Sequence, residues 1–231
     1  MKIFSGPCPV CGGEEFLSDY VLWPELVNEW QLSEAEVAYI NRQQGFHCVK
    51  CKNNLRAMAL AHAIATAYEF TGELSCFAIA KRLKDISILE INPAGQLTPI
   101  LSKMPNHRLI EYPEHDMTCL DFESEFFDLV IHSDTLEHIK EPIDALSECR
   151  RVLKKTGRCI FTIPIVIDRL TKSRRGMKSS YHGSPGEGCE DLLVYTEYGA
   201  DFWKSVLEAG FGSVMIHCIE YPAGLAIEAR A

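Results

Sequence analysis

Residues 126–164, FFDLVIHSDTLEHIKEPIDALSECRRVLKKTGRCIFTIP, constrain the fold more than any other stretch of the chain. FDLVIHSD is an apolar run bounded by charge, the pattern of a strand covered on both faces. PIDALSECRRVL places Ile143, Leu146, Cys149 and Leu153 at helical spacing, with Pro142 near its first turn. Gly157 follows Lys154 and Lys155, which predicts the helix end there, where its dipole favours cations. CIFTIPI then supplies a β-branched and aromatic strand closed by Pro164. Strand, helix and strand in this order make a βαβ unit, and such units build parallel sheets with right-handed crossovers.

The flanking sequence extends that unit. ISILEI reads as a short buried strand before it, and GQLTPILSKM as a helix with Pro99 near its first turn. HRLIEY is a second strand, followed by a Pro turn and the extended piece CLDF, a connection too short to hold a helix. After the βαβ unit, residues 167–194 are polar, Gly-rich and too long for a passive connector. EYGADFWKSVLEAGF reads as an amphipathic helix stopped by Gly210, and GSVMIHCIEY with GLAIEAR as a closing antiparallel pair. Upstream, LRAMALAHAIATAYEFT (residues 55–71) is apolar at nearly all helical positions and should pack between two units, with LSCFAIAKRLK as a further helix. The 231 residues, 47% hydrophobic, suffice for one α/β domain and a small appendage. The expected division is 1–55 appendage, 56–85 connecting helices and 86–231 main domain.

Within the appendage, Cys8-Pro9-Val10-Cys11 and Cys48-Val49-Lys50-Cys51 are two CxxC knuckles. Two such turns can present four thiolates tetrahedrally, which suits a structural Zn²⁺ with no open position. Free thiols or a redox CxxC are the rival readings, although a redox motif needs no second pair. Between the knuckles, Ser33 and Glu36 form a capping box for the short helix SEAEVAYINRQ. The other six of the ten cysteines fall mostly on apolar faces and read as core.

A net charge of −9 argues against a nucleic-acid partner, because phosphate contacts demand a basic face. One basic cluster, Lys172, Arg174, Arg175 and Lys178, reads as a solvated loop or as a contact for an anionic substrate. No membrane span is expected, since no long apolar run is present, and MKIFSGPCPVCGG has no hydrophobic signal core. A cytoplasmic location is the expectation, and the oligomeric state is left open.

The wording FDLVIHSDTLEH, then a helix ending RRVLKKTGR, then IFTIPI resembles the second half of class I S-adenosylmethionine-dependent methyltransferases, most closely the type 11 group. The resemblance covers about residues 86 to 230. It implies a Rossmann-like, doubly wound, mostly parallel α/β sheet, here shortened between its second and third strands, with the cofactor at the carboxyl ends of the strands. On that resemblance Glu90 matches the acidic residue opening the cofactor turn, which reads Asn92-Pro93-Ala94-Gly95 in place of the family's glycine-rich run. Asn92 tolerates positive φ and Ala94 is small, so the turn can keep its course. Glu111 matches the carboxylate that holds the ribose diol, with a surface carboxylate as the alternative. Asp116 and Met117 match the adenine-contacting pair, and Ser133 and Asp134 lie where the methionine end and methyl group sit.

Methyl transfer from a sulfonium needs a base only when the acceptor keeps its proton. The candidates are His138 in LEH and the pair Tyr181-His182 in the long segment SSYHGSPGEG. YHG, LVYTEYG and GF are similar to type 11 methyltransferases associated with sugar-transfer modules, which implies a small-molecule or carbohydrate acceptor. A zinc-knuckle methyltransferase is the leading expectation. The alternative is a non-catalytic relative whose zinc unit docks a partner. A nicotinamide-dependent sugar enzyme is disfavoured, because no G-x-G-x-x-G follows the first strand.

Overall fold

The computed structural model describes residues 4–181 and 192–231. The chain opens with the first cysteine knuckle, β1 (Phe16–Ser18), α1 (Pro24–Glu29), α2 (Glu34–Gly45) and β2 (Phe46–Cys48). The strands β1 and β2 pair antiparallel and bring the second knuckle beside the first. The expected capping box starts α2: the Ser33 hydroxyl accepts from the Glu36 N–H while the Glu36 carboxylate accepts from the Ser33 N–H.

Next come α3 (Leu55–Ala67) and α4 (Leu74–Phe77), and then β3 (Ile88–Ile91), α5 (Thr98–Leu101) and β4 (His107–Ile110). Strand β5 (Phe127–Ser133), helix α6 (Pro142–Val152) and strand β6 (Leu153–Thr162) form the central βαβ unit. Short strands β7 (Ile165–Val166), β8 (Lys172–Ser173) and β9 (Thr196–Gly199) make a small second sheet, and α7 (Trp203–Glu208), β10 (Ser213–Glu220) and β11 (Gly224–Arg230) close the chain.

The six-stranded sheet runs β10-β11-β6-β5-β3-β4. Strands β4, β3, β5 and β6 are parallel, and β11 is antiparallel to both β6 and β10. This is the expected doubly wound, mostly parallel α/β sheet, with its switch point between β3 and β5. The sheet is trimmed on its β4 edge: no strand forms between β4 and β5, because residues 113–126 fold as turns.

Strand residues alternate between two cores. Ile88, Leu129, Ile131, Ile160 and Ala226 pack toward α3, and Leu89, Val130, Cys159, Phe161 and Ile227 toward α6 and α7. Helix α3 is buried on nearly every side, as its uniform apolarity requires. The core beneath it runs without a break from Cys8, Val10, Tyr39 and Phe46 to Ile88 and Leu129. Two side-chain clamps fasten the first unit: the Arg42 guanidinium donates to both Glu220 oxygens at 2.8 and 2.9 Å, and Arg169 to both Glu36 oxygens at 2.6 and 2.9 Å.

Several local expectations are corrected. Helix α6 ends at Val152, five residues before Gly157, because β6 starts at once and Lys154 is drawn to Asp128 at 2.8 Å. Gly157 instead sits at a tight point of β6, where a Cβ would lie 2.9 Å from the Lys154 carbonyl oxygen. Ile143 is exposed, and the buried face of α6 is Ala145, Leu146, Cys149 and Val152. LSCFAIAKRLK forms only α4 and a 3-10 turn at Lys81–Leu83. The closing helix shrinks to α7, because Thr196–Gly199 is drawn into β9 between β7 and β8. Among the described residues no helix is long and apolar enough to cross a membrane.

Candidate active site and cysteine cluster

The turn after β3 is organised by one buried carboxylate. Glu90 is fully buried; its Oε1 accepts from the Ala94 N–H at 2.8 Å and the Thr98 hydroxyl at 2.5 Å, and its Oε2 meets His107 Nε2 at 2.6 Å. Both oxygens are thus spent on the turn and on β4. Asn92 takes a φ of +56° and Gly95 a φ of +59°, so the left-handed steps fall on the two residues of the turn that accept them best. The Asn92 amide oxygen accepts from the Tyr112 N–H at 3.0 Å, and its backbone N–H donates to the Ile110 carbonyl at 2.8 Å, which pins the ends of β3 and β4 together.

Above these strand ends lies a cavity of about 470 Å³. Asn92 lines it from the end of β3, Tyr112, Asp116 and Met117 from the segment after β4, and Asp134 and His138 from the segment after β5. It therefore occupies the carboxyl ends of the parallel strands, at the switch point. Asp116 is exposed and its Oδ1 caps its own turn, accepting from the Thr118 N–H at 2.8 Å and the Thr118 hydroxyl at 2.7 Å. Met117 is buried beside it.

The expected site residues therefore separate. Asn92, Asp116, Met117, Asp134 and His138 converge on the cavity. Glu90 and Ala94 lie beneath it as parts of the turn, which Gly95 continues. Glu111 is exposed at the end of β4, one residue before the lining Tyr112. Ser133 bonds to the Thr162 hydroxyl at 2.8 Å, joining β5 to β6. Tyr181 is exposed and bridges to Leu193. His182 lies outside the described residues.

A polar group that the sequence reading overlooked lies behind the cavity. Arg56, buried at the start of α3, forms an ion pair with Asp134, which takes a φ of +51° just past β5. Glu137 is buried next to them; burial first and the Asp134 charge second push its carboxyl up to about 8. His138 donates from Nδ1 to the Leu193 carbonyl at 3.0 Å, and burial lowers its pKa, so the neutral ring presents Nε2 as its acceptor nitrogen. Arg56 had a visible signal: one guanidinium in an otherwise apolar helix.

A second cavity, of about 480 Å³, opens on the other side of this group. Leu22, Trp23, Leu26 and Trp30 line it from the first unit, and Ile165 and Val166 from β7. Asp134, His138 and Leu192 line both cavities.

Of the expected basic cluster, Lys172 and Lys178 are exposed while both arginines are engaged by carboxylates. Arg174 is buried against Glu197 and Glu29 with its guanidinium 5.5 Å from the Trp30 ring, and Arg175 pairs with Glu141.

At the far end of the first unit, the sulfurs of Cys8, Cys11, Cys48 and Cys51 all lie within 4.8 Å of one another. Cys8 and Cys51 are separated by 3.6 Å and Cys11 and Cys48 by 3.7 Å. Tetrahedral Zn–S bonds of about 2.3 Å place sulfurs about 3.8 Å apart, so the set fits that ion. Gly12, at a φ of +69°, turns the first knuckle, and a Cβ on Gly13 would lie 2.9 Å from the Cys48 sulfur.

Residues 72–161 match the family model of the methyltransferase domain. The comparison with curated proteins found no match. Among solved structures, the citrinin polyketide synthase CMeT domain is similar at 12% identity and a TM-score of 0.48, over 89% of this chain and 59% of that one. A SAM-dependent methyltransferase from Thermotoga maritima aligns at 14% identity and a TM-score of 0.41, over 89% and 96% of the two chains. The trans-methyltransferase CalH, in complex with SAH, aligns at 14% identity and a TM-score of 0.43, over 89% and 62%. The domain match lies on β3, β4 and β5 where they frame the first cavity, and it supports a methyltransferase enzyme.

Proposed function

We propose that the protein transfers a methyl group from S-adenosylmethionine to a small-molecule or glycan-type acceptor, and that a structural Zn²⁺ at Cys8, Cys11, Cys48 and Cys51 holds its first unit together. The observation that carries this reading is the open cavity at the switch point, lined by Asn92, Asp116, Met117 and Asp134. A cavity filled by its own side chains would have favoured a non-catalytic relative instead.

The residues present fit the cofactor's needs. The turn that Glu90 organises brings backbone close to the strand ends without the usual glycines. Asp116 and Met117 offer a carboxylate edge and an apolar wall to adenine, and Asp134 a carboxylate to the ammonium of the methionine moiety. Glu111 stands at the end of β4, where the family's ribose carboxylate falls. When bound, S-adenosylmethionine supplies a methyl group on a positively charged sulfur. The chain's part is to orient the acceptor, exclude water and take up a proton.

Calorimetry of the zinc-loaded protein with S-adenosylmethionine and S-adenosylhomocysteine tests this. Binding of both is expected, weakened about tenfold or more, over 1.4 kcal/mol, in Asp134→Ala. Absence of binding by either nucleoside would overturn the reading.

A further inference from the structure

The second cavity differs in character from the first. Its apolar walls are Leu22, Trp23, Leu26, Trp30, Ile40 and Val166, with the amides of Gln43 and Gln44 beside them, and its titratable groups gather at one end, where Arg56, Asp134, Glu137 and His138 line it. A sugar ring needs hydrogen-bond partners around its whole edge, and apart from Gln43 and Gln44 these walls offer aliphatic and indole surface instead. A flat apolar ring with one oxygen pointing at the polar end matches them. That end is also where the two cavities meet, through Asp134 and His138.

The polar end is built, not incidental. Arg56 is only 3% exposed, and while Asp134 pairs with one of its terminal nitrogens, Nη1 is buried without a protein partner. A buried, unspent guanidinium N–H is costly unless an acceptor oxygen reaches it. Asp134 Oδ1 is likewise buried with no protein donor. An oxygen placed here would be next to a cationic donor, a carboxylate able to take a proton, and the strand ends of the first cavity.

We propose that the indole-lined cavity is the acceptor pocket, that it takes a compact aromatic alcohol of the phenol class, and that Arg56 orients the hydroxyl oxygen while Glu137 accepts its proton. This rests on the methyltransferase reading and narrows its acceptor from glycan to arene. In the balanced step the O–H bond breaks and its proton passes to the Glu137 carboxylate. The oxygen's pair forms the new O–CH3 bond, and the broken S–C bond leaves its electron pair on sulfur. The elevated pKa of Glu137, near that of the proton donor's working range, suits a base that must take a proton and release it again.

The test uses the full-length, zinc-loaded protein with 2-naphthol as probe and methyl glucoside as control, each titrated calorimetrically with and without S-adenosylhomocysteine. Naphthol should bind in a one-to-one ratio and the glucoside should not. Leu26→Trp, which fills the cavity from α1, should weaken naphthol about tenfold or more while leaving S-adenosylhomocysteine affinity within about twofold. Arg56→Gln should weaken naphthol with a smaller effect on 2-methylnaphthalene, which carries no hydroxyl. Glu137→Gln should bind naphthol yet lose its methylation and the rise of that rate through about pH 8. Absence of naphthol binding, binding indifferent to Leu26→Trp, or preference for the glucoside would overturn the proposal. Should naphthol bind as described while S-adenosylhomocysteine does not, the arene pocket stands and the methyl-transfer reading falls.

Discussion

Asn92 and Glu137 mark the two limits of what single residues disclose. The left-handed step at Asn92 was legible, because asparagine tolerates positive φ and stands where a strand must turn sharply. Replacing it with Val, which is β-branched and offers no side-chain acceptor to the Tyr112 N–H, should cost about 1–3 kcal/mol in denaturant unfolding. Glu137, in LEH, carries no sequence signal of burial; the fold buries it beside Arg56, Asp134 and Tyr198. Its carboxyl has an ordinary value of 4.5 and a folded value of about 8, so the native state holds its proton through that window while the unfolded chain has lost it. Stability should therefore fall as pH rises from about 4.5 to 8 and level off above. Glu137→Gln should flatten that slope, which denaturant midpoints at several pH values between these limits would measure.

At the scale of elements, periodicity found the six strands of the main sheet and local chemistry found one helix start. The capping box of α2 is present in both halves, so Ser33→Ala should cost about 1 kcal/mol and raise amide exchange in the first turn of α2. Element ends were less legible. Gly157 after two lysines has the form of a helix terminus, yet the strand partner of β5 claims Leu153 onward and stops α6 early. EYG joins a sheet that includes β7 and β8, and that pairing outweighed the helical pattern continuing into α7. Such competition between a local pattern and a distant partner cannot be settled from local spacing.

At the scale of the molecule, one core joins the cysteine unit to the sheet through α3. Loss of the zinc expected at the four cysteines should then be felt beyond the first unit. Cys48→Ser should release bound zinc, read by metal analysis, and lower the midpoint of a single cooperative unfolding transition. Full retention of metal and midpoint would refute the assignment. The clamps add a pH signature: Arg169 is the main cause holding the Glu36 carboxyl below its ordinary value, outweighing the burial that opposes it. A depressed carboxylate contributes stability that is present above its unfolded pKa and lost as pH falls through its folded one. Acid titration should accordingly loosen the first unit as pH drops below about 4.5, and Arg169→Gln should remove that dependence.

By itself the sequence determined the parallel sheet, the central βαβ unit and the paired knuckles. All of these are written in near-neighbour spacing and in the chemistry of residue types. Only the tertiary structure decided that Glu90 is spent on its own turn, that Arg56 meets Asp134 across 78 positions of chain, and that the first unit walls a second cavity against the first. Those contacts depend on which faces of α1, α2 and α3 come to lie over the sheet, a global packing outcome that no window of the chain encodes.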